Sequence, residues 1–249
     1  NMGIELRRGD GSWRSYADLD LEERKKLTTA LYVTLLDFNV PEFIIQGMVG
    51  EVYTLLNEKK RTELRDAKEY ATVLNACGRQ EQPEIGVGVC LGGRGRDLDK
   101  AKDLLTEHRR KLKEGLNFLN SSGVEETENL YYFNAGGMID ENIIGVIAGM
   151  SYGARIPTTK GGVMGRGKPI RAFAKDKDNP DMLKVSARAN WDLVRRGLHL
   201  GNALRELSGE LGGEGGGHDI AAGARIPQNT RSEFLDKINE IFNKQLKGI

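Results

Sequence analysis

One glycine-rich stretch stands out in this 249-residue chain, residues 212–223 with the sequence GGEGGGHDIAAG. The three consecutive glycines at 215–217 allow successive backbone N–H groups to point at one anion. The next residue, His218, carries an imidazole that can bond a phosphate oxygen, and Asp219 is suited to cap a following helix. The stretch predicts a phosphate-binding loop, and the alternative is a flexible loop with an incidental histidine.

Positive charge is concentrated upstream of this stretch, although the whole chain has a net charge of only +1. Residues 184–205 contain five basic residues and a single acidic one, Asp192. Such a local basic zone is what a polyphosphate partner requires. Residues 155–175 contain no acidic residue and six basic ones, namely Arg155, Lys160, Arg166, Lys168, Arg171 and Lys175.

The hydrophobic periodicity changes part-way along the chain. The first half has helical spacing, with a capping box at Asp20 and Glu23, a proline-led helix from Pro41, a helix capped by Thr62 and a long helix over 97–120. The polar residues 120–123 suggest a linker. Beyond them, strands over 130–135, 170–174, 183–187 and 219–227 alternate with helices over 143–150, 191–207 and 231–247.

This pattern predicts an α/β fold in which an N-terminal helical region precedes an α/β domain with a mixed sheet flanked by helices. We expect three parts. They are a helical insertion-like region over residues 1–62, a helical connector over 63–123 and an α/β substrate-binding domain over 124–249.

Several classes of protein are excluded by composition. No apolar run approaches the roughly 18 residues of a membrane span, and the N-terminus lacks the apolar core of a signal peptide. Two cysteines are too few for a secreted disulfide scaffold, so we expect a cytoplasmic protein without membrane contact. Residues 162–168 have Walker-like spacing, but Pro169 replaces the Ser or Thr that holds magnesium, which favours a flexible basic loop.

Metal ligands are not clustered in the sequence. The three histidines, His108, His199 and His218, are far apart, and neither cysteine has metal-binding spacing. We therefore predict no metal site and no catalytic residue within this chain.

Three motifs in order resemble a known family. Residues 74–79 (LNACGR) are similar to an N-A-x-G-R element, residues 185–188 (VSAR) to an S-x-R strand, and GGGH at 215–218 followed by AAGA at 221–224 to a domain signature. Together with the small-residue segment at 145–149, these motifs resemble the DHH-associated domain of RecJ-type nucleases and related phosphoesterases. The details are most similar to archaeal RecJ-like single-strand-specific exonucleases that associate with the GINS replication complex.

The resemblance implies that the matched residues bind the phosphate backbone of single-stranded DNA or RNA. It also implies manganese or magnesium as the cofactor of the complete enzyme. No Asp-His-His motif occurs in this chain, so we expect a C-terminal region without the metal-binding lobe, inactive alone. The implied phosphate-binding residues are Asn75, Arg79, Ser186, Arg188, Gly215, Gly216, Gly217 and His218.

The matched residues also have a direct chemical rationale. Arg79 and Arg188 can each fork onto a phosphate, which lysine cannot do, and Ser186 shares a strand face with Arg188. Arg79 has an alternative role as a cation at a helix C-terminus. Two other functions remain open. One is a non-catalytic replication scaffold that binds partner proteins such as GINS, and the other is a phosphoesterase for small molecules or oligonucleotides.

Overall fold

A computed structural model describes residues 2–152 and 154–248, apart from the side chain of Phe43. The chain divides into two compact units, residues 1–58 and 59–249. None of the helices among these described residues combines the length and apolar character needed to cross a bilayer.

The first unit contains helices α1 (Leu21–Asp37) and α2 (Glu42–Gln46). Helix α1 begins at the predicted capping box, in which Asp20 and Glu23 bond each other's backbone N–H groups. The helix led by Pro41 is shorter than its apolar pattern predicts and ends at Gly47. Val49 and Val52 lie beyond that end and are exposed, so no packed face supports further turns.

The second unit begins with three helices, α3 (Ala67–Arg79), α4 (Pro83–Cys90) and α5 (Arg96–Ser122). They share a small apolar core that includes Leu64, Val73 and Leu105. Helix α3 is capped by Asp66, which accepts from two backbone N–H groups, rather than by Thr62. The expected linker over 120–123 is instead the last turn of α5, which ends at Gly123.

The remaining elements form a six-stranded sheet in the order β1-β2-β3-β4-β6-β5. Only β2 and β3 run parallel, so the sheet is mixed and the predicted fold class is confirmed. The elements are β1 (Glu125–Glu126), β2 (Tyr131–Gly136), α6 (Ile144–Ser151), β3 (Ile170–Lys175), β4 (Met182–Arg188), α7 (Trp191–Arg195), α8 (Leu200–Glu210), β5 (Glu214–Gly217), β6 (Ala221–Pro227) and α9 (Arg231–Lys247).

Helices cover both faces of this sheet. Helix α6 packs on one face against alternate residues of β3, such as Ile170 and Ala172. Helices α8 and α9 pack on the opposite face, against Phe173, Val185 and Ala187. Successive side chains of each strand point to opposite faces of the sheet, so the two faces have separate cores.

The helix predicted over residues 191–207 is two helices in the structure. Gly197 has a left-handed backbone with φ +100°, which ends α7. His199 then caps α8, because its Nδ1 accepts from the Asn202 backbone N–H at 3.2 Å. A continuous apolar stripe cannot reveal this break, since Leu193 and Leu200 on either side of it are both buried.

Candidate phosphate-binding site

Strand β4 carries Ser186 and Arg188 on the face that is covered in part by α6. The residue between them, Ala187, points to the opposite core with Val185. Ser186 is buried and Arg188 is half-buried, so the two polar side chains lie at the boundary between α6 and the open part of the sheet. The predicted shared face of these two residues is present.

Helix α6 approaches this pair through a glycine. A methyl group added at Gly145 would lie 2.5 Å from Arg188 Nη2 and 3.1 Å from Ser186 Oγ. Gly145 therefore makes room for the Arg188 guanidinium against the helix. Sequence reasoning did not assign this role, although the four-residue spacing of Gly145 and Gly149 places both on one helix face.

Arg79 reaches the same region from the end of α3. Its Nη1 donates to the Asn142 carbonyl oxygen at 2.5 Å, in the connection that leads to α6. Burial lowers the pKa of Arg188 from its usual value, and the charge of Arg79 lowers it further. The two guanidinium groups are thus close enough to repel each other.

Neither guanidinium forms an ion pair with a carboxylate in the part of the chain that the structure describes. Arg188 Nη1 donates only to backbone, to the Ala187 carbonyl oxygen at 2.8 Å and to that of Ala222 at 3.5 Å. Two adjacent cations without a counter-charge form a site that an anion stabilises. Asn75 lies exposed one turn before Arg79 on α3.

The three glycines form strand β5 rather than the predicted loop. Gly216 pairs with Gly223 of β6, and Gly223 pairs in turn with Ser186 of β4. A methyl group at Gly201 of α8 would lie only 2.2 Å from the Gly217 carbonyl oxygen. Helix α8 therefore packs directly on the backbone of the edge strand at Gly201, and a methyl group at Gly215 would lie 2.9 Å from the Leu204 carbonyl oxygen of α8.

His218 is exposed in the turn between β5 and β6, where its backbone N–H donates to the Ala221 carbonyl oxygen at 2.9 Å. Strand β6 follows Asp219, as the strand pattern over 219–227 predicts, so Asp219 does not cap a helix. Instead its carboxylate contacts His199 Nε2 at 2.8 Å and fixes the turn to the start of α8. Sequence reasoning missed this contact because the two residues are distant in the chain.

Ser186 and Arg188 are thus brought beside Arg79, whereas the glycines and His218 lie two strands away, about 10 Å across the sheet. Between them the sheet surface is nearly free of side chains, because Gly223 and Gly216 occupy the same row as Ser186. An open depression of about 400 Å³ lies over this surface, with Lys184, Glu214 and Arg225 at its sides.

The basic zone at the surface is smaller than its sequence predicts. Arg171 is only 1% exposed, with its guanidinium 4.8 Å from the Phe234 ring and 5.2 Å from the Phe242 ring. Lys168 is paired with Glu126 at 2.7 Å. The predicted flexible loop is followed by strand β3. The alternation of side chains along this strand directs Arg171 into the core.

The described residues do not fit a catalytic metal centre. Glu141, Asp176 and Asp178 lie within 4.8 Å of one another, but Arg225 Nε lies 2.7 Å from Asp176. Asp176 also accepts from the backbone N–H groups of Asp178 and Asn179, so its carboxylate has partners already. His108 is buried in α5.

Comparisons with known proteins find a matching domain family and a similar fold. Residues 163–244 match the DHHA1 domain family. The fold is similar to that of Thermus thermophilus RecJ solved with Mn²⁺, with a TM-score of 0.53 and 17% identity over 72% of this chain and 24% of that chain. At this identity the likeness concerns the fold alone.

Two curated relatives extend the comparison. The uncharacterized protein MJ0831 of Methanocaldococcus jannaschii is 31% identical over 92% of this chain. An alanine–tRNA ligase of Alkaliphilus oremlandii is 41% identical over 70 residues, which are 27% of this chain and 8% of the ligase. The chain spans 44% of the length of MJ0831.

A substitution in α6 tests the position of Arg188. We expect Gly145→Ala to displace the guanidinium and weaken phosphate binding about 5- to 10-fold, the equivalent of one hydrogen bond. The clash meets the end of a flexible side chain, so the free energy of unfolding should change by less than about 1 kcal/mol. Affinity for a labelled single-stranded oligonucleotide and urea unfolding measure the two effects.

Gly149→Ala is the matched control for this substitution. Its added methyl group would lie 3.9 Å from Arg188 Cγ, which is an ordinary contact distance. Equal losses of affinity in the two variants would show that Gly145 does not position Arg188.

Proposed function

We propose that this chain is the nucleic-acid-binding portion of a RecJ-like exonuclease and holds the phosphate backbone of a single strand. The observation that carries the proposal is that Arg79 and Arg188 both reach the segment over residues 142–145, and that neither has a carboxylate partner among the described residues. Ser186 adds a hydroxyl on the same face.

The open surface beside this pair favours a polymer over a compact ligand. Gly223 and Gly216 leave the sheet flat between Ser186 and the turn that carries His218. An extended backbone can cross this surface, with one phosphate at the arginine pair and another near the His218 turn. A small-molecule phosphoesterase would need a closed pocket, whereas this depression is open.

Phosphodiester hydrolysis requires chemistry that these residues do not provide. In the proposed complete enzyme, a manganese or magnesium ion supplies an activated water. Its ligands belong to other parts of a longer protein, in keeping with the greater length of MJ0831. The residues described here bind and orient the strand, and we expect no hydrolysis by this chain alone.

A second function is favoured by residues 1–58. Four apolar side chains there, Phe38, Val49, Val52 and Leu56, are each at least 73% exposed. Exposed apolar side chains mark protein–protein contacts where they form a contiguous patch. Such a surface suits a scaffold that binds replication proteins such as GINS, and this role is compatible with strand binding by the DHHA1 domain.

Salt dependence tests the strand-binding proposal. We expect the chain to bind a fluorescein-labelled oligo-dT, with log affinity falling against log salt at a slope of about −2 if roughly three phosphates are contacted. Fluorescence anisotropy in the presence and absence of Mn²⁺ measures the slope and detects any degradation.

Two results would contradict the proposal. Absence of binding at low salt would remove the nucleic-acid role and leave the scaffold. Degradation of the oligonucleotide in Mn²⁺ would mean that the chain holds a metal centre of its own.

A further inference from the structure

We propose that the exposed indole of Trp191 stacks on a base of the single strand whose phosphates lie at Ser186 and Arg188. This inference rests on the proposed function and specifies its ligand, because a stacking platform selects a chain that carries bases over any other polyphosphate.

Trp191 is held at the end of the strand that carries the phosphate-binding pair. It is the first residue of α7 and follows Arg188 by three positions. Asn190 caps α7 by accepting from the Leu193 N–H at 3.0 Å, and its Nδ2 donates to the Arg166 carbonyl oxygen at 2.8 Å. The backbone that carries the indole is therefore fixed on both sides.

The hairpin turn with His218 lies beside this position. Ala189 N–H donates to the Ile220 carbonyl oxygen at 2.9 Å, which continues the pairing of β4 with β6 to two residues before Trp191. Arg188, the turn and the indole are thus at one end of the sheet. A strand that leaves the arginine pair in this direction meets the ring.

The ring is free to stack. Trp191 is 60% exposed, and no cation–π contact covers it within residues 2–152 and 154–248. The other tryptophan, Trp13, is also exposed, but the Arg7 guanidinium lies 4.2 Å from its ring centroid. Burial of the large apolar area of an indole is favourable, and an exposed indole lacks this favourable free energy. A stacked base would bury part of that area and restore it.

The surroundings of Trp191 favour a nucleic acid over an apolar protein surface. Its neighbours Asn190 and Asp192 are polar, and the nearby residues Arg166 and Arg196 are basic and exposed. The adjacent Asp192 is paired with Arg195, and an exposed aromatic ring near basic side chains is the arrangement that binds unpaired bases beside their phosphates. A protein contact would instead require a contiguous apolar patch.

The experiment compares two polyanions that differ only in their bases, an oligo-dT and an abasic oligonucleotide of the same length. Trp13→Phe leaves Trp191 as the sole tryptophan, since the chain contains two. We expect oligo-dT to quench its fluorescence by stacking, whereas the abasic oligomer binds without quenching.

Substitution of the indole gives the second measurement. Trp191→Ala should weaken oligo-dT binding about 5-fold or more and leave abasic binding unchanged, while Trp191→Phe keeps most of the affinity. Equal urea midpoints of the three proteins confirm that the exposed position does not affect folding.

The outcomes separate the two proposals. If both oligomers bind but Trp191→Ala weakens neither, the stacking role is wrong and the phosphate site stands. If the unaltered chain binds neither oligomer at low salt, the proposed function fails and the stacking role fails with it.

Discussion

Arg188→Ala should weaken binding of a single-stranded oligonucleotide roughly 10- to 150-fold, the equivalent of about 1.5–3 kcal/mol for a charged hydrogen bond. Arg188 is half-buried, lies against Gly145 and has no carboxylate partner among the described residues. A phosphate at this position would supply the negative charge that the Arg188 guanidinium otherwise lacks. The slope of log affinity against log salt should also become shallower by about 0.7.

Folding should be little affected by the same substitution. Burial and the Arg79 charge both lower the pKa of Arg188, so the charged side chain is held at a cost in the folded state. We therefore expect the free energy of unfolding to change by no more than about 1 kcal/mol. Urea denaturation beside the binding titration separates a lost contact from a lost fold.

Two control variants make this test specific. Arg188→Lys keeps the charge but loses the planar fork, so the salt slope should be retained while affinity falls. Arg109→Ala removes one charge from an exposed position on α5, where Glu69 lies 3.8 Å away, and should have little effect. If Arg109→Ala lost as much affinity as Arg188→Ala, the binding would reflect general electrostatic attraction and not a specific site at Arg188.

Arg171→Met should stabilise the protein by about 1–2 kcal/mol, the gain from removing a buried charge less the cation–π contacts that are lost. The Arg171 guanidinium is buried, and none of its three nitrogens has a hydrogen-bond partner among the described residues. Only the rings of Phe234 and Phe242 face it. Methionine fills a similar volume without a charge to desolvate, and the shift of the urea midpoint measures the gain.

Dependence on pH provides an independent check on Arg171. Burial lowers its pKa from the usual arginine value to about 9, so the unfolded chain binds more protons than the folded protein between these two values. The stability of the unaltered chain relative to Arg171→Met should therefore be lowest below pH 9 and recover as pH rises above 9. Arg171→Ala, which removes the charge but leaves a cavity, should be less stable than Arg171→Met.

A lower stability of Arg171→Met than of the unaltered chain would contradict this expectation. It would mean that the buried guanidinium makes a favourable interaction that the two aromatic rings do not account for.

Local patterns in the sequence were sufficient for the fold class and for part of the site. Strand alternation placed Ser186 and Arg188 on one face, and the helical stripe of α5 followed from its apolar spacing. The family resemblance brought Arg79 into the site, from more than a hundred residues away. That contact depends on how α3 packs against the rest of the second unit, which local spacing does not encode.

The glycines show where local reasoning was insufficient. Three consecutive glycines before His218 are compatible with an anion-binding loop and with a strand, and the sequence does not distinguish the two. The structure makes them strand β5 because Gly201 of α8 packs on the Gly217 carbonyl oxygen. The same dependence on distant contacts explains why Asp219 pairs with His199 instead of capping a helix.

The sequence by itself determined the helical first half, the mixed α/β class and the shared face of Ser186 and Arg188. These features depend on periodicity and turn residues within a few positions of each other. Only the tertiary structure decided which basic residues remain at the surface, with Arg171 enclosed beneath α9 and Arg188 left at the sheet boundary. The physical reason is that burial of a charge depends on the element that packs over it, and that element lies far along the chain.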